Sequence, residues 1–376
     1  MGNPGEHATH AATPSVTARV RAYCQQRFDA SRLPSPLVLP LPDEPHVASW
    51  RTYAVEGVGR VFERLQQSLP QLRIPIRAGI SQSVAYGDVA RRGEPFSERL
   101  FGGTLTLRNP AALQLFVRDH PMGALPVLWT PDRADFETLV RALGCRSEPE
   151  VIHPAVNAQL VSGFVNWDRV RRYRDAWGGR EPDWPGELQR VDTQQPSAFR
   201  DRAVVITTAP YSGVNARDLG LGLDEPAWLE ASHVVRLEHE FTHYATKRLY
   251  GAMRAHVYDE LIADCMGLTA GLGAYTARCA LTCLGLEGWP VLRPDARVQA
   301  YRGDLEDAVF AEVCALAAPA ATSLERITTT HDLAADRGRF LLALTLLTLD
   351  DLAAADAADR FENTYRAAAT PAIAQR

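Results

Sequence analysis

One short segment, His239-Glu240-Phe241-Thr242-His243, constrains this chain more than any other part of the sequence. If the segment is helical, its two histidines project from nearly the same face, about 6 Å apart along the helix axis. Two imidazoles at this spacing can supply two ligands to the same metal ion. Glu240 is rotated by about 100° from the first histidine, so its carboxylate reaches past the ion and is placed to take a proton from a metal-bound water.

A second acidic segment, Asp259-Glu260-Leu261-Ile262-Ala263-Asp264, follows at close range. A catalytic zinc ion needs a third protein ligand and one open position, and Glu260 on the next predicted helix is the candidate for that ligand. Asp264, one turn later, is placed to accept the spare ring N–H of a ligating histidine, which fixes the tautomer and raises the basicity of the ring. The two segments therefore predict a set of metal ligands, a base and a supporting carboxylate.

Together, H-E-F-T-H and the following E-L-I-A-D resemble the gluzincin branch of zinc metallopeptidases. The resemblance implies that His239, His243 and Glu260 bind zinc, that Glu240 is the general base and that Asp264 supports a ligand histidine. It also implies a zincin-like fold and a hydrolytic activity on peptides or amides.

The resemblance covers only about residues 201–275. The flanking segments Gly163–Trp167 and Arg236–His239 are more similar to a bacterial family of unknown function than to any characterised peptidase. The likeness therefore bears on the metal and the fold more than on the substrate.

The pattern of apolar residues predicts both strands and helices, and the resemblance implies an α+β, zincin-like fold with a mixed sheet. Residues 203–208 read as a strand, and the resemblance makes this strand a sheet edge, with residues 204–213 as a rim for substrate. A metal-binding helix is expected from Asp224 to about Leu249, and the C-terminal half is expected to be helical. We predict a Pro- and Ala-rich arm over residues 1–50 with a mobile start, a mixed α/β region over 51–200 and a zincin-like metal-binding region over 201–376.

Three further residues are candidates for the site. Tyr211, in the turn after the predicted strand, either points at the metal or is a turn residue without a role. His256 falls on the helical stripe of Glu260 and Asp264, and is an exposed first-turn residue, a partner of a ligand or a donor to the transition state. His331 is a candidate because gluzincins often use a downstream histidine to stabilise the oxyanion; the alternative is a neighbour of a helix cap.

Composition excludes several other functions. Lys247 is the only lysine, and it fits neither a phosphate-binding loop nor a pyridoxal phosphate Schiff base. The formal net charge of −5 gives no electrostatic case for nucleic acid or an anionic membrane as partner. The sequence shows neither a signal peptide nor a long uncharged apolar segment, and its scattered cysteines read as reduced thiols, so a cytoplasmic location is expected.

Three functions fit these observations. The first is a zinc hydrolase that acts on a peptide or on a small molecule containing an amide. The second is a non-haem Fe(II) oxygenase, because two histidines and one carboxylate also form the facial triad of that class. The third is a non-catalytic scaffold with a structural metal, although such a site has no use for the unliganded base Glu240. The sequence does not indicate an oligomeric state.

Overall fold

The computed structural model describes residues 15–25, 28–33, 37–251, 256–333 and 335–368. The predicted mobile start of the N-terminal arm lies outside these residues. The helices of the described residues are α1 (Val16–Cys24), α2 (Val47–Glu56), α3 (Val61–Ser68), α4 (Val84–Tyr86), α5 (Glu98–Phe101), α6 (Arg133–Gly144), α7 (Trp167–Ala176), α8 (Trp184–Gln194), α9 (Ala216–Leu219), α10 (Glu225–Tyr250), α11 (Val257–Leu272), α12 (Ala277–Leu284), α13 (Asp307–Thr330), α14 (Arg337–Thr345), α15 (Leu349–Ala353) and α16 (Ala357–Ala367).

A small mixed sheet is formed by strands between residues 114 and 207. Its strands are β1 (Gln114–Arg118), β2 (Leu125–Thr130), β3 (Ala158–Val165) and β4 (Arg200–Thr207), in the spatial order β1-β2-β4-β3. The central pair, β2 and β4, is parallel, and the outer pairs are antiparallel. The prediction of an α+β protein with a mixed sheet is therefore confirmed.

The predicted position of the strand before the metal helix is wrong. This strand, β4, lies inside the sheet with β2 on one side and β3 on the other, and the edge nearest the helix is β3. The physical reason is visible in its side chains: residues 203–207 are all buried, and a strand covered on both faces needs such a continuous apolar run. Residues 204–207 therefore cannot pair with an extended substrate.

The sheet is covered by helices on its two faces. On one face, α6 packs through Phe136 and Leu139 against Val205 of β4. On the other face, α10 packs through Leu237 and Phe241 against neighbouring residues of the central strands. Burial of these apolar faces fixes α10 directly beneath the sheet.

Helices α10 and α11 form a closely packed pair. The α10 helix begins after Asp224, whose side chain accepts a hydrogen bond from the Ala227 amide at 2.9 Å, and it ends at Gly251, which has a φ of +71°. Two glycines of α11 lie against the backbone of α10: a Cβ added at Gly267 or at Gly271 would lie 2.7 Å from a carbonyl oxygen of α10. The absence of side chains at these two positions brings α11 close enough to direct its carboxylates at α10.

The C-terminal helices build the largest apolar cluster, which lies behind the α10–α11 pair and includes residues of α1. Helix α13 is long and apolar enough to meet a length and composition test for a membrane span, but half of its apolar window is buried inside the protein. It packs against α1, α12 and α15, as expected for a core helix.

Candidate metal centre

Three side chains from α10 and α11 converge on one point. The Nε2 atoms of His239 and His243 lie 3.1 Å apart, and the nearest oxygens of Glu260 lie 3.3 Å from His239 Nε2 and 3.4 Å from His243 Nε2. A tetrahedral zinc ion with bonds of about 2.0–2.1 Å separates its ligand atoms by about 3.3 Å. The three side chains thus have the spacing of a metal-binding group without any change in their positions.

The chemistry of the group also fits a cation. Glu260 Oε2 is buried and has no hydrogen-bond partner among the described residues. Burial raises the pKa of Glu260, but the adjacent imidazoles of His243 and His239 outweigh burial and hold this pKa well below its usual range. Two ring nitrogens that face each other and a carboxylate oxygen without a donor are satisfied together by one bound cation.

The outer nitrogen of His239 is held by two partners. His239 Nδ1 lies 2.8 Å from Tyr211 Oη and 3.1 Å from Asp264 Oδ1. Burial lowers the pKa of His239, yet the neighbouring carboxylates of Asp264 and Glu260 raise it overall to about 9. With Nδ1 donating to its partners, a bound metal ion would take the place of the proton on Nε2.

Tyr211 and Asp264 belong to a larger network. The Tyr211 hydroxyl donates to Asp264, and Arg297 donates to Tyr211 Oη at 2.7 Å and to Asp264. Burial is the main cause that raises the pKa of Tyr211 well above its ordinary value, so its hydroxyl stays protonated as a donor. The network supports His239 from the side opposite to the metal position.

The structure therefore corrects the catalytic role expected for Tyr211. Its hydroxyl lies at Nδ1 of His239, whereas the metal position lies at Nε2. The turn Tyr211–Gly213 is responsible, since the Tyr211 amide is bonded to Ser232 of α10 at 2.9 Å and Ser212 has a φ of +54°. Tyr211 therefore contacts His239 on the side of the ring away from the metal position.

Glu240 lies beside the ligand group and is held by the sheet. The backbone N–H of Leu160, in edge strand β3, donates to Glu240 Oε2 at 2.7 Å. This contact fixes one carboxylate oxygen of a side chain that is 9% exposed and borders the same cavity as the two histidines. The predicted base is thus positioned by the edge of the sheet.

The site opens into a cavity of about 280 Å³. Its wall comes from the segment 155–159 that leads into β3, from the turn at Tyr211 and Ser212, from α10 and α11, and from a 3₁₀ helix at Arg297–Tyr301. This size lies just below the range of about 300–1,000 Å³ that is usual for ligand pockets.

The position predicted for His256 beside the ligands is wrong, and so is the alternative that it is exposed. His256 is the N-cap of α11, with a φ of −154° that takes it off the helical stripe of Glu260. Its Nδ1 accepts from the Tyr258 amide at 3.1 Å, and its Nε2 bonds to the Tyr23 carbonyl at 2.8 Å. A cap residue points back over the first turn, so its imidazole supports the start of the helix instead of the metal.

The oxyanion role predicted for His331 is also wrong. His331 ends α13 outside the cavity, with Nε2 at 3.3 Å from Glu362 and its ring packed against Phe361 and Tyr365. An isolated histidine carries no spacing information, so its place in the fold could not be derived from the sequence.

Two arginines of the cavity wall, Arg236 and Arg297, were not among the predicted site residues. Arg297 lies 33 residues beyond Asp264 in a short 3₁₀ helix, and no local pattern connects the two. For Arg236 a signal exists: it stands three residues before His239 and four before Glu240, so a helix places it on the same side.

The fold and the site together define an α+β protein with a buried His–His–Glu group that is able to hold a metal ion. The chain belongs to a family of unknown function, DUF7005, whose family model matches residues 7–356. No curated protein and no solved structure matches the chain.

Proposed function

We propose that the protein is a zinc-dependent hydrolase that cleaves an amide or peptide bond in a small substrate. The observation that carries this proposal is the position of Glu240: it lies beside the His239–His243–Glu260 group without being part of it, and the Leu160 amide holds it there at 2.7 Å. A metal that only stabilises the fold would need no such carboxylate.

Zinc at this position supplies Lewis acidity, which polarises a carbonyl group and lowers the pKa of a water molecule toward about 7. Glu240 accepts the proton of the attacking water on its free oxygen and returns it to the leaving nitrogen. Asp264, Tyr211 and Arg297 keep His239 in one tautomer and orientation during these steps. The chain thus contributes a base and a rigid ligand set.

The small cavity supports an enzyme of narrow substrate specificity, which acts on one peptide or one amide-containing metabolite. A cytoplasmic location is part of the proposal. It is supported by the six cysteines: none of them forms a disulfide in the described part of the chain, and five are buried.

The Fe(II) oxygenase is the second candidate, because the same two histidines and one carboxylate suit iron. Glu240 favours the hydrolase, since the facial triad of an oxygenase has no step that requires a carboxylate base beside it. The identity of the metal decides between the two.

The test begins with metal analysis of anaerobically purified protein and of His239→Ala. We expect one equivalent of zinc in the wild type and none in the variant; iron in place of zinc contradicts the hydrolase. Glu240→Gln should keep its zinc and lose about 100- to 10,000-fold in turnover against a library of dipeptides and N-acyl amino acids. Glu230→Gln, an exposed glutamate on the same helix, is the control and should keep full turnover.

If Glu240→Gln binds zinc and retains wild-type turnover, the base assignment is wrong. If the zinc-loaded wild type is inert across the library and Glu240→Gln changes no measured property, the metal has a structural role and the protein is a scaffold.

A further inference from the structure

Arg236 is a buried cation in the wall of the metal cavity. Its side chain is 3% exposed, and its Nη1 donates to the Ala209 carbonyl. Its Nε and Nη2 atoms are buried and have no hydrogen-bond partner among the described residues. Within the same residues, no carboxylate forms an ion pair with it, whereas Arg297 of the same cavity is paired with Asp264.

A buried charge without a partner is unfavourable, and proteins keep one where a ligand supplies the missing charge. Burial lowers the pKa of Arg236 to about 10, so the guanidinium is still protonated at neutral pH. A guanidinium that only supported the turn at Ala209 would need one donor, but this one carries two further nitrogens that are unused.

The free nitrogens have the arrangement that a carboxylate requires. Nε and Nη2 form one edge of the planar guanidinium, and an edge of two parallel N–H groups binds both oxygens of a carboxylate. Arg236 lines the cavity, so a rotation about its last side-chain torsions would present this edge to a ligand. Ser212, in the same wall, has a buried hydroxyl that also lacks a partner among the described residues.

The charge of the cavity favours an anion. A bound divalent ion and the two arginines carry four positive charges, and the carboxylates Glu240, Glu260 and Asp264 carry three negative charges. The site then has a net charge of about +1. Because Arg236 precedes His239 and Glu240 by about one helical turn, its Cα lies roughly 4.5–6 Å along the axis from those of the ligand histidine and the base. An anionic group on the substrate would therefore lie only a few bonds from the bond that is cleaved.

We propose that Arg236, assisted by Ser212, binds a carboxylate of the substrate, and that the substrate is a small amide with a free carboxylate close to the scissile bond. An N-acyl amino acid or a dipeptide has this chemistry and a size suited to the cavity. The inference rests on the proposed function, because it requires a substrate bound at the metal.

The experiment compares two hydroxamates on the zinc-loaded full-length protein by isothermal titration calorimetry. Succinic acid monohydroxamate carries a metal-binding group and a carboxylate; succinamide monohydroxamate replaces that carboxylate by a neutral amide. We expect the wild type to bind the carboxylate form about 10- to 100-fold more tightly, as for a hydrogen-bonded charge pair. Arg236→Met should lose this preference, and Arg236→Lys should keep part of it, since lysine retains the charge but not the planar fork.

Arg337→Met is the matched control, because Arg337 is paired with Glu238 outside the cavity. It should keep the full preference for the carboxylate. The unfolding temperature of Arg236→Met gives a second readout: removal of an unpaired buried charge should leave it unchanged or raise it, whereas a purely structural arginine would lower it.

Equal binding of the two hydroxamates by the wild type overturns the carboxylate site and leaves the metal site intact. If Arg236→Met still prefers the carboxylate form, another group binds the anion and the role of Arg236 is overturned. If neither hydroxamate binds to the zinc-loaded protein, the open metal position is contradicted, and the inference falls with the proposed function.

Discussion

At the scale of single residues, side chains that do not contact the metal position determine how firmly the metal ligands are held. Asp264 is fully buried and accepts hydrogen bonds from Tyr211, Arg297 and His239 Nδ1. It therefore sets both the tautomer of a ligand and the position of Arg297, whose Nη1 lies 4.0 Å from Glu260 Oε2. The Asp264 carboxylate thus connects all members of the network that supports His239.

We predict that Asp264→Asn weakens zinc affinity about 10- to 100-fold, because an amide cannot hold both His239 and Arg297. Competition with a chelator of known affinity measures the loss. Asp201→Asn is the control: Asp201 is equally buried and bonded to Trp50, Asn166 and Arg169, away from the metal. This control should reduce stability while it leaves zinc affinity unchanged; equal zinc affinity in wild type and Asp264→Asn would contradict the supporting role.

The sequence was informative about residues wherever a fixed helical spacing carries the chemistry. The structure brings together His239, His243, Glu260 and Asp264 as their spacing on two helices indicated, with Glu240 alongside. Arg297 had no such signal, because its contact depends on how a distant 3₁₀ helix folds back. Spacing within a helix can be read directly, but a contact made through tertiary packing cannot.

At the scale of elements, the site depends on how closely two helices approach. Gly267 and Gly271 leave no side chain between α11 and α10, so Glu260 and Asp264 reach across to the histidines. The bounds of α10 followed from its capping residues and its apolar pattern. The neighbours of β4 did not, because a buried apolar strand has the same appearance whichever strands lie beside it.

We predict that Gly267→Ala separates the two helices and thereby lowers both stability and zinc affinity. The new methyl group would lie 2.7 Å from the Val235 carbonyl, and overpacking of this kind costs about 1–3 kcal/mol. Gly186→Ala, in α8 with nothing within 4 Å of the added carbon, is the control. It should leave zinc affinity unchanged and stabilise the fold slightly, because alanine favours the helix. Urea unfolding and chelator competition test both variants; wild-type values for Gly267→Ala would show that the close packing does not position the ligands.

At the scale of the whole molecule, one buried histidine makes the fold sensitive to acid. His46 is 1% exposed at the start of α2, and its Nε2 has no hydrogen-bond partner among the described residues. Burial, together with the positive charges of Arg169, Arg202 and Arg248, lowers the pKa of His46 to about 3. The unfolded chain binds this proton near pH 6.5, whereas the folded protein does not until about pH 3.

We therefore predict that His46 alone reduces the free energy of unfolding by up to about 1.4 kcal/mol per pH unit as the pH falls from 6.5 toward 3. His46→Phe removes this proton-binding group at similar volume. Between pH 7.5 and pH 5, the stability of the variant should fall by about 2 kcal/mol less than that of the wild type, measured by urea unfolding in the presence of a chelator. Identical pH dependence in the two proteins would mean that His46 binds its proton at the same pH in the folded and the unfolded protein.

The first helix of the chain is tied to some of its most distant residues. The Tyr23 hydroxyl donates to the carbonyl of Tyr301 at 3.3 Å and accepts from the Val257 amide, and its ring stacks on His256 at 3.9 Å. During synthesis at about 5–20 residues per second, Tyr23 is made roughly 14–56 seconds before Tyr301. The cavity wall at Tyr301 can close only after translation has passed that residue, so a nascent chain that carries the complete histidine motif still has no finished site.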